Sequence, residues 1–206
     1  MKIKKYTAPP LEENTYLIYD ENIKEGYIID PGSKPEDIIE TIKDKNIKIK
    51  AILHTHGHFD HTAFTQLLVN ELNVPVFLDE KDLIYTRRIK DFAYLYNREI
   101  PILENYDIYK DPIEIGKSKI TVIDTPGHTP GGKCFYIPDI SIIFTGDTLF
   151  KRAFGRYDLP MGNFDELKAS IKKLFELPGN TIVYSGHGEE TTIKEEKNNN
   201  YILKFL

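Results

Sequence analysis

Within His54-Thr55-His56-Gly57-His58-Phe59-Asp60-His61 stand four of the chain's six histidines and one aspartate. Imidazole nitrogens at this density suit zinc, iron and related ions, and a carboxylate can complete or bridge such a site. The other two histidines stand in Thr125-Pro126-Gly127-His128 and Ser185-Gly186-His187-Gly188, and a further carboxylate, Asp147, follows Ile142-Ile143-Phe144-Thr145-Gly146. Each of these three alone reads as an ordinary loop or turn residue. Taken with the cluster, all of them fit one metal site. His54, two residues before His56, reads as a structural residue rather than a ligand.

The elements around these residues place them alike. Ile49 to Leu53 is a short apolar run with strand character, and Thr62 to Leu72 has helical spacing, so the cluster occupies a strand-to-helix loop. Asp60 and His61, close to the helix start, can turn inward with His56 and His58. His128 follows the run Ile120 to Asp124, and His187 follows Thr181 to Tyr184. Ligand types at strand ends, joined by glycine-rich loops, predict a site at one edge of a sheet.

Further strands are predicted at Tyr16–Tyr19, Gly26–Asp30, Val76–Leu78, Ile113–Ile115, Lys119–Asp124, Lys133–Ile137 and Ser141–Thr145. Helices are predicted at Pro35–Asp44, with proline and acids in the first turn, and at Asn163–Leu177, through Leu167, Ile171, Leu174 and Phe175. Asp79 to Glu104 reads as helices broken by loops, whose aromatic residues suit core packing or a subunit contact first, and an aromatic wall of a substrate site second. The alternation is an α/β pattern.

The length of 206 residues fits one domain, 1–206, with no linker composition dividing it. A net charge of −5 weighs against a nucleic-acid partner. A single cysteine, Cys134, excludes an intrachain disulfide and reads as packed. Met1-Lys2-Ile3-Lys4-Lys5 lacks the apolar run of a signal peptide and no segment approaches membrane-spanning length, so the expected compartment is the cytoplasm, with no membrane partner.

Thr55-His56-Gly57-His58-Phe59-Asp60-His61 resembles the Thr-His-x-His-x-Asp-His signature of the metallo-β-lactamase superfamily. Gly127-His128, Gly146-Asp147 and Gly186-His187 resemble its later ligand positions, and Asp30-Pro31-Gly32 an early motif. The resemblance implies an α/β fold, a four-layer αββα sandwich of two mixed sheets flanked by helices. It implies that His56, His58 and His128 hold one divalent ion, that Asp60, His61 and His187 hold a second, and that Asp147 bridges them. Zinc is the first assignment, with iron or manganese compatible. A bridging water that loses its proton would be the nucleophile, and Asp60 would orient it as a catalytic residue.

Gly146-Asp147-Thr148-Leu149-Phe150 and Gly155-Arg156 resemble the hydroxyacylglutathione hydrolase (glyoxalase II) branch, especially its short bacterial members. The long enzymes carry a carrier-binding lysine after that glycine and a tyrosine two residues later. Arg156 stands at the first position here, Asp158 at the second and Tyr157 between, which makes Arg156 and Tyr157 the substrate-binding candidates, with a salt bridge to Asp158 the other reading of Arg156. Three functions remain open: a dinuclear hydrolase of a thioester or small acyl ester, a mononuclear iron persulfide dioxygenase with a similar Gly-Arg-x-Asp run, and a non-enzymatic metal-binding protein on the same scaffold.

Overall fold

The computed structural model describes residues 1–109 and 113–206. The chain divides into two compact units. Of the described residues, the first holds 1–109 and Ile115–Lys117, and the second holds 113–114 and all of 118–206.

The first unit is built on strands β1 (Lys2–Ala8), β2 (Glu13–Asp20), β3 (Glu25–Ile29), β4 (Lys48–Leu53) and β5 (Val76–Phe77), hydrogen-bonded in that order. β1, β2 and β3 pair antiparallel, whereas β3–β4 and β4–β5 are parallel, so the sheet is mixed. Helix α1 (Pro35–Lys45) makes the β3–β4 crossover. Pro35 stands in its first turn, Glu36 and Asp37 face its positive end and Lys43 and Lys45 its negative end. Asn46 ends it in the left-handed region, φ 54°. Ile38 and Ile42 then pack with Leu17, Ile28, Ile52 and Leu68 in one buried cluster.

The predicted Thr62–Leu72 helix is two helices, α2 (Phe59–Thr62) and α3 (Thr65–Leu72). The break has a visible cause. The Phe64 amide donates to the Pro31 carbonyl at 2.9 Å instead of continuing the helical ladder. Asp60 and His61 therefore lie inside a separate short helix rather than before the long one. Asp79 to Glu104 folds as short turns: a 3₁₀ turn at Glu80–Asp82, helix α4 (Leu83–Thr86) and a 3₁₀ stretch at Ile89–Tyr96.

The second unit's strands are β6 (Ile113–Ile115), β7 (Ser118–Asp124), β8 (Lys133–Ile137), β9 (Ile142–Gly146), β12 (Ile182–Ser185) and β13 (Thr191–Thr192), in the order β13-β12-β9-β8-β7-β6. β9 and β12 are parallel and their other neighbours antiparallel. β10 (Leu149–Phe150) and β11 (Ala153–Phe154) form a small separate hairpin. Helix α5 (Phe164–Phe175) is capped by Asn163, whose side chain accepts from the amides of Asp165 and Glu166. Its residues Leu167, Ile171 and Leu174 pack on Ile143 and Val183 of the sheet, with Ile193 of α6 (Ile193–Asn199). Cys134, the single cysteine, is buried in that cluster. Among the described residues no helix is long and apolar enough to cross a membrane.

Candidate metal centre

The seven ligand candidates divide between the units. His56, His58, Asp60 and His61 follow β4 in the first. His128, Asp147 and His187 follow β7, β9 and β12 in the second.

In the first unit the loop rises from β4 and is fixed by Asp30, the residue after β3. Asp30 is buried, with backbone φ 48°, and both of its carboxylate oxygens are engaged. Oδ1 accepts from the Thr55 amide at 2.7 Å, and Oδ2 accepts from Thr55 Oγ1 at 2.5 Å and from His61 Nδ1 at 3.0 Å. These contacts dictate proton positions. His61 carries its proton on Nδ1, because a carboxylate only accepts, and Nε2 keeps its lone pair. Thr55 spends its proton on Asp30, so toward His56 Nδ1, 3.1 Å away, its oxygen can only accept. His56 then also carries its proton on Nδ1 and offers Nε2. One carboxylate sets the tautomer of two histidines, the arrangement that ligand imidazoles need. Asp30 belongs to a group of potential ligand atoms with His56 and His61, all within 4.8 Å of one another, but its occupied oxygens make it an anchor.

The imidazoles lie close. Ring centroids are 4.8 Å apart for His56–His58 and 4.1 Å for His56–His61. His61 Nε2 is 3.8 Å from Asp60 Oδ2. The Tyr85 ring rests against His58 at 4.6 Å, and burial, then the Asp82 carboxylate, push its phenol up to about 12. Burial would raise the Asp30 carboxyl, but hydrogen bonding and charge from His54 and His61 prevail and hold it below its ordinary value. Glu13, buried beside His61, has the opposite balance. Desolvation dominates the attraction of His61, and Asp30 and Asp60 add to it, so its carboxyl sits well above the usual range. His54 is fully buried, with Nε2 3.0 Å from Thr65 Oγ1.

In the second unit His128 Nδ1 donates to the Arg156 carbonyl at 2.7 Å, which again leaves Nε2 as the accepting nitrogen. The His128 loop is tied to the start of α5, where the Asn163 amide donates to the Gly127 carbonyl at 2.8 Å. Asp147 Oδ2 lies 3.5 Å from His128 Nε2 and 3.7 Å from His187 Nε2. These separations are long for hydrogen bonds. They suit ligands of one ion, since two donors at about 2.0–2.1 Å on a tetrahedral ion stand about 3.3 Å apart. Gly155 is obligatory here. A Cβ on it would lie 1.7 Å from the Asp147 carbonyl oxygen and 3.2 Å from His128 Nδ1. The Arg156 guanidinium makes a two-pronged contact with Asp158, at 2.9 and 3.0 Å, and is exposed. Tyr157 is also exposed and stacks on Phe164 at 4.2 Å. Arg156 thus serves the histidine through its backbone, while its side chain is held by Asp158.

The model described as Metallo-beta-lactamase superfamily matches residues 8–187. The chain belongs to the metallo-beta-lactamase superfamily. Its α/β fold, with mixed sheets of five and six strands flanked by helices, is that of the family. It is 37% identical to the Streptococcus pyogenes serotype M6 protein named "Probable metallo-hydrolase M6_Spy0554", over 97% of this chain and 89% of that one. It is 31% identical to "Hydroxyacylglutathione hydrolase GloC" of Haemophilus influenzae, over 98% of each chain. Among solved structures it is similar to TTHA1623 in a di-iron-bound form, with a TM-score of 0.85 and 35% identity over 98% of this chain and 100% of that chain. The superfamily membership, the histidine and carboxylate groups and the protonation pattern together mark a metal-binding protein of the metallo-hydrolase superfamily.

Sequence reasoning passed over Glu13, Asp82 and Tyr109, and noted Asp30 only as part of a motif. Asp30 could have been found from its place after a strand. Nothing local marks Tyr109, whose partner His54 is 55 residues away.

Proposed function

We propose that the chain is a dinuclear metal-dependent hydrolase of a thioester or small acyl ester, of the hydroxyacylglutathione hydrolase kind. His56, His58 and His128 would hold one ion, Asp60, His61 and His187 the other, with Asp147 shared. The observation that supports this most is the Asp147 carboxylate. A single oxygen, Oδ2, lies within 3.5 and 3.7 Å of the two histidines assigned to different ions. When bound, the ions supply an acidified water near neutral pH and a Lewis acid for a carbonyl oxygen. Asp60, half-buried on α2, orients the nucleophile through hydrogen bonding. Asp30 and the Arg156 carbonyl keep protons on the Nδ1 atoms, and so off the nitrogens turned to the ions. Arg156 and Tyr157 bind the carrier portion of the substrate, with Arg156 exchanging Asp158 for a substrate carboxylate.

Zinc is the first assignment for both ions, and the di-iron form of TTHA1623 supports iron as the alternative. The reading includes a small-molecule substrate, no nucleic-acid or membrane partner and a cytoplasmic setting, supported by the net charge of −5 and the single cysteine. Elemental analysis of metal-replete protein, combined with turnover of lactoylglutathione and other thioesters, tests it. Two ions per chain and thioester cleavage are expected. A ceiling of one ion removes the dinuclear centre, and a fully loaded chain inert toward thioesters and esters removes the substrate class. The Gly155-Arg156-Tyr157-Asp158 run favours a second reading, persulfide dioxygenation at one iron. Sulfite formed from a persulfide, with one iron per chain, would select it.

A further inference from the structure

The loop that carries His56 and His58 is gripped from outside by the excursion that follows β5, residues 78–109. Tyr109, half-buried, reaches back to the first residue of that loop. Its phenol oxygen accepts from the His54 amide at 2.9 Å and lies within hydrogen-bond reach of the carbonyls of His54 and of Phe77, the latter at 2.9 Å. The single phenol proton is shared between those two carbonyls. The His54 amide also reaches the Phe77 carbonyl, at 3.0 Å. The phenol therefore knots the end of β4 to the end of β5 where β4 gives way to the ligand loop. Three residues farther on, Asp82 Oδ2 accepts from the Gly57 amide at 3.0 Å, and Asp82 is fully buried. A Cβ on Gly57 would come within 2.4 Å of the Asp82 carbonyl oxygen, so the loop lies directly on the excursion.

We infer that Tyr109 and Asp82 form a clamp that positions His56 and His58 for metal binding by fixing the peptide groups of His54 and Gly57. The inference rests on the metal reading of the site. Neither residue is a ligand or touches substrate, and both are positioning residues. The physical reason is entropic. A loop of small and polar residues would otherwise sample many backbone states, and the imidazoles must be ordered before they can share an ion. Burial and the nearby Asp30 keep the Tyr109 phenol protonated. Its grip thus persists across the physiological pH range.

Tyr109→Phe removes one oxygen and keeps the ring, which stacks on Phe77 at 5.8 Å. The matched control is Tyr6→Phe. Tyr6 is a buried tyrosine of the first unit, and its hydroxyl has no hydrogen-bond partner among the described residues. The full-length variants are loaded with zinc, the metal Kd is read by competition with a chromophoric chelator, and melting is followed with and without zinc. Tyr109→Phe is expected to weaken zinc binding about tenfold or more, as loss of supporting contacts around ligands does. It should also shrink the zinc-induced rise in melting temperature, while Tyr6→Phe leaves both unchanged. A Tyr109→Phe protein that melts lower without metal but binds zinc within twofold of wild type would make Tyr109 a plain stabiliser and end the inference. If Tyr109→Phe does not fold, Asp82→Ala and Asp82→Asn test the other jaw. Alanine should lose affinity and asparagine, which keeps an oxygen acceptor, should recover most of it; equal affinity in all would refute the clamp. A wild-type chain that takes up no metal overturns the metal reading, and the clamp with it, whereas a binding wild type with unaffected variants overturns the clamp alone.

Discussion

Asp30→Asn is the most informative single change, because it alters charge and proton bookkeeping with almost no change of shape. In the wild type, Oδ1 takes the Thr55 amide and Oδ2 takes Thr55 Oγ1 and His61 Nδ1. Asparagine keeps one acceptor oxygen and adds an NH₂ group that can only donate. With the oxygen kept toward the Thr55 amide, the NH₂ meets Thr55 Oγ1 and His61 Nδ1, both of which donate in the wild type. His61 must then accept at Nδ1 and carry its proton on Nε2, the nitrogen that would hold the metal in the proposed centre. Thr55 must turn its proton away, and can send it to His56 Nδ1, which pushes the His56 proton to Nε2 as well. The expected cost is about 10–100-fold in metal affinity, or about 1.4–2.7 kcal/mol. The metal-free chain should also lose stability, with a defined pH dependence. The Asp30 carboxyl is held below its ordinary value, so its contribution is present above pH 3.8 and is lost as pH falls through the folded value. The gap between wild type and variant should therefore close in acid below 3.8. Chelator competition gives the affinity, nitrogen NMR of the imidazoles reads the tautomers, and denaturant melts of metal-free protein across pH give the stability. Unchanged affinity, with His56 and His61 still protonated on Nδ1, would refute the tautomer reasoning.

Asp147→Ala should lower metal content and turnover together, whereas His54→Ala should cost stability and leave the metal count intact; elemental analysis of both decides it, and equal metal loss would place His54 among the ligands. Glu13→Gln should stabilise the metal-free chain increasingly as pH rises above 4.5, because the raised carboxyl makes wild-type Glu13 progressively harder to keep folded as it ionises. Melting temperatures of the two proteins between acid and mild alkali check this, and a constant gap would contradict it. Gly155→Ala should lose metal and more than about 3 kcal/mol of stability, since its Cβ would stand 1.7 Å from the Asp147 carbonyl oxygen; a denaturation curve beside a metal count reads both.

Most of the scaffold was legible from local signals. Pro35 with acids in the first turn marked α1, and the spacing of Leu167, Ile171 and Leu174 marked α5, because helix-start chemistry and apolar spacing are written into neighbouring residues. The histidine cluster marked the ligand loop for the same reason. The rest depended on distant partners. The interruption between α2 and α3 comes from the Pro31 carbonyl capturing the Phe64 amide, a contact that helical periodicity cannot register. β1 went unseen because Lys2, Lys4 and Lys5 blur its alternation. Arg156 was readable as a ligand-binding residue or as half of an ion pair, and the spacing to Asp158 could not say which. The structure has the pair. The proton-directing role of Asp30 required knowing that the end of β3 lies beside the end of β4, which is a matter of sheet order rather than of sequence.

The strands at the margins of the two sheets bear on how the chain meets other chains. An open strand edge is a row of unpaired amides and carbonyls that another chain can join. β5 and β13 are two residues long and β6 is three, too short to template such a pairing. β1 is the exception at seven residues, and it carries Lys2, Lys4 and Lys5. A strand approaching that edge would have to crowd its side chains against three ammonium groups, and a second copy would bring three more. The lysines that hid β1 from pattern reading thus act as a guard against edge-to-edge growth, and neutralising them would expose a seven-residue edge to self-association.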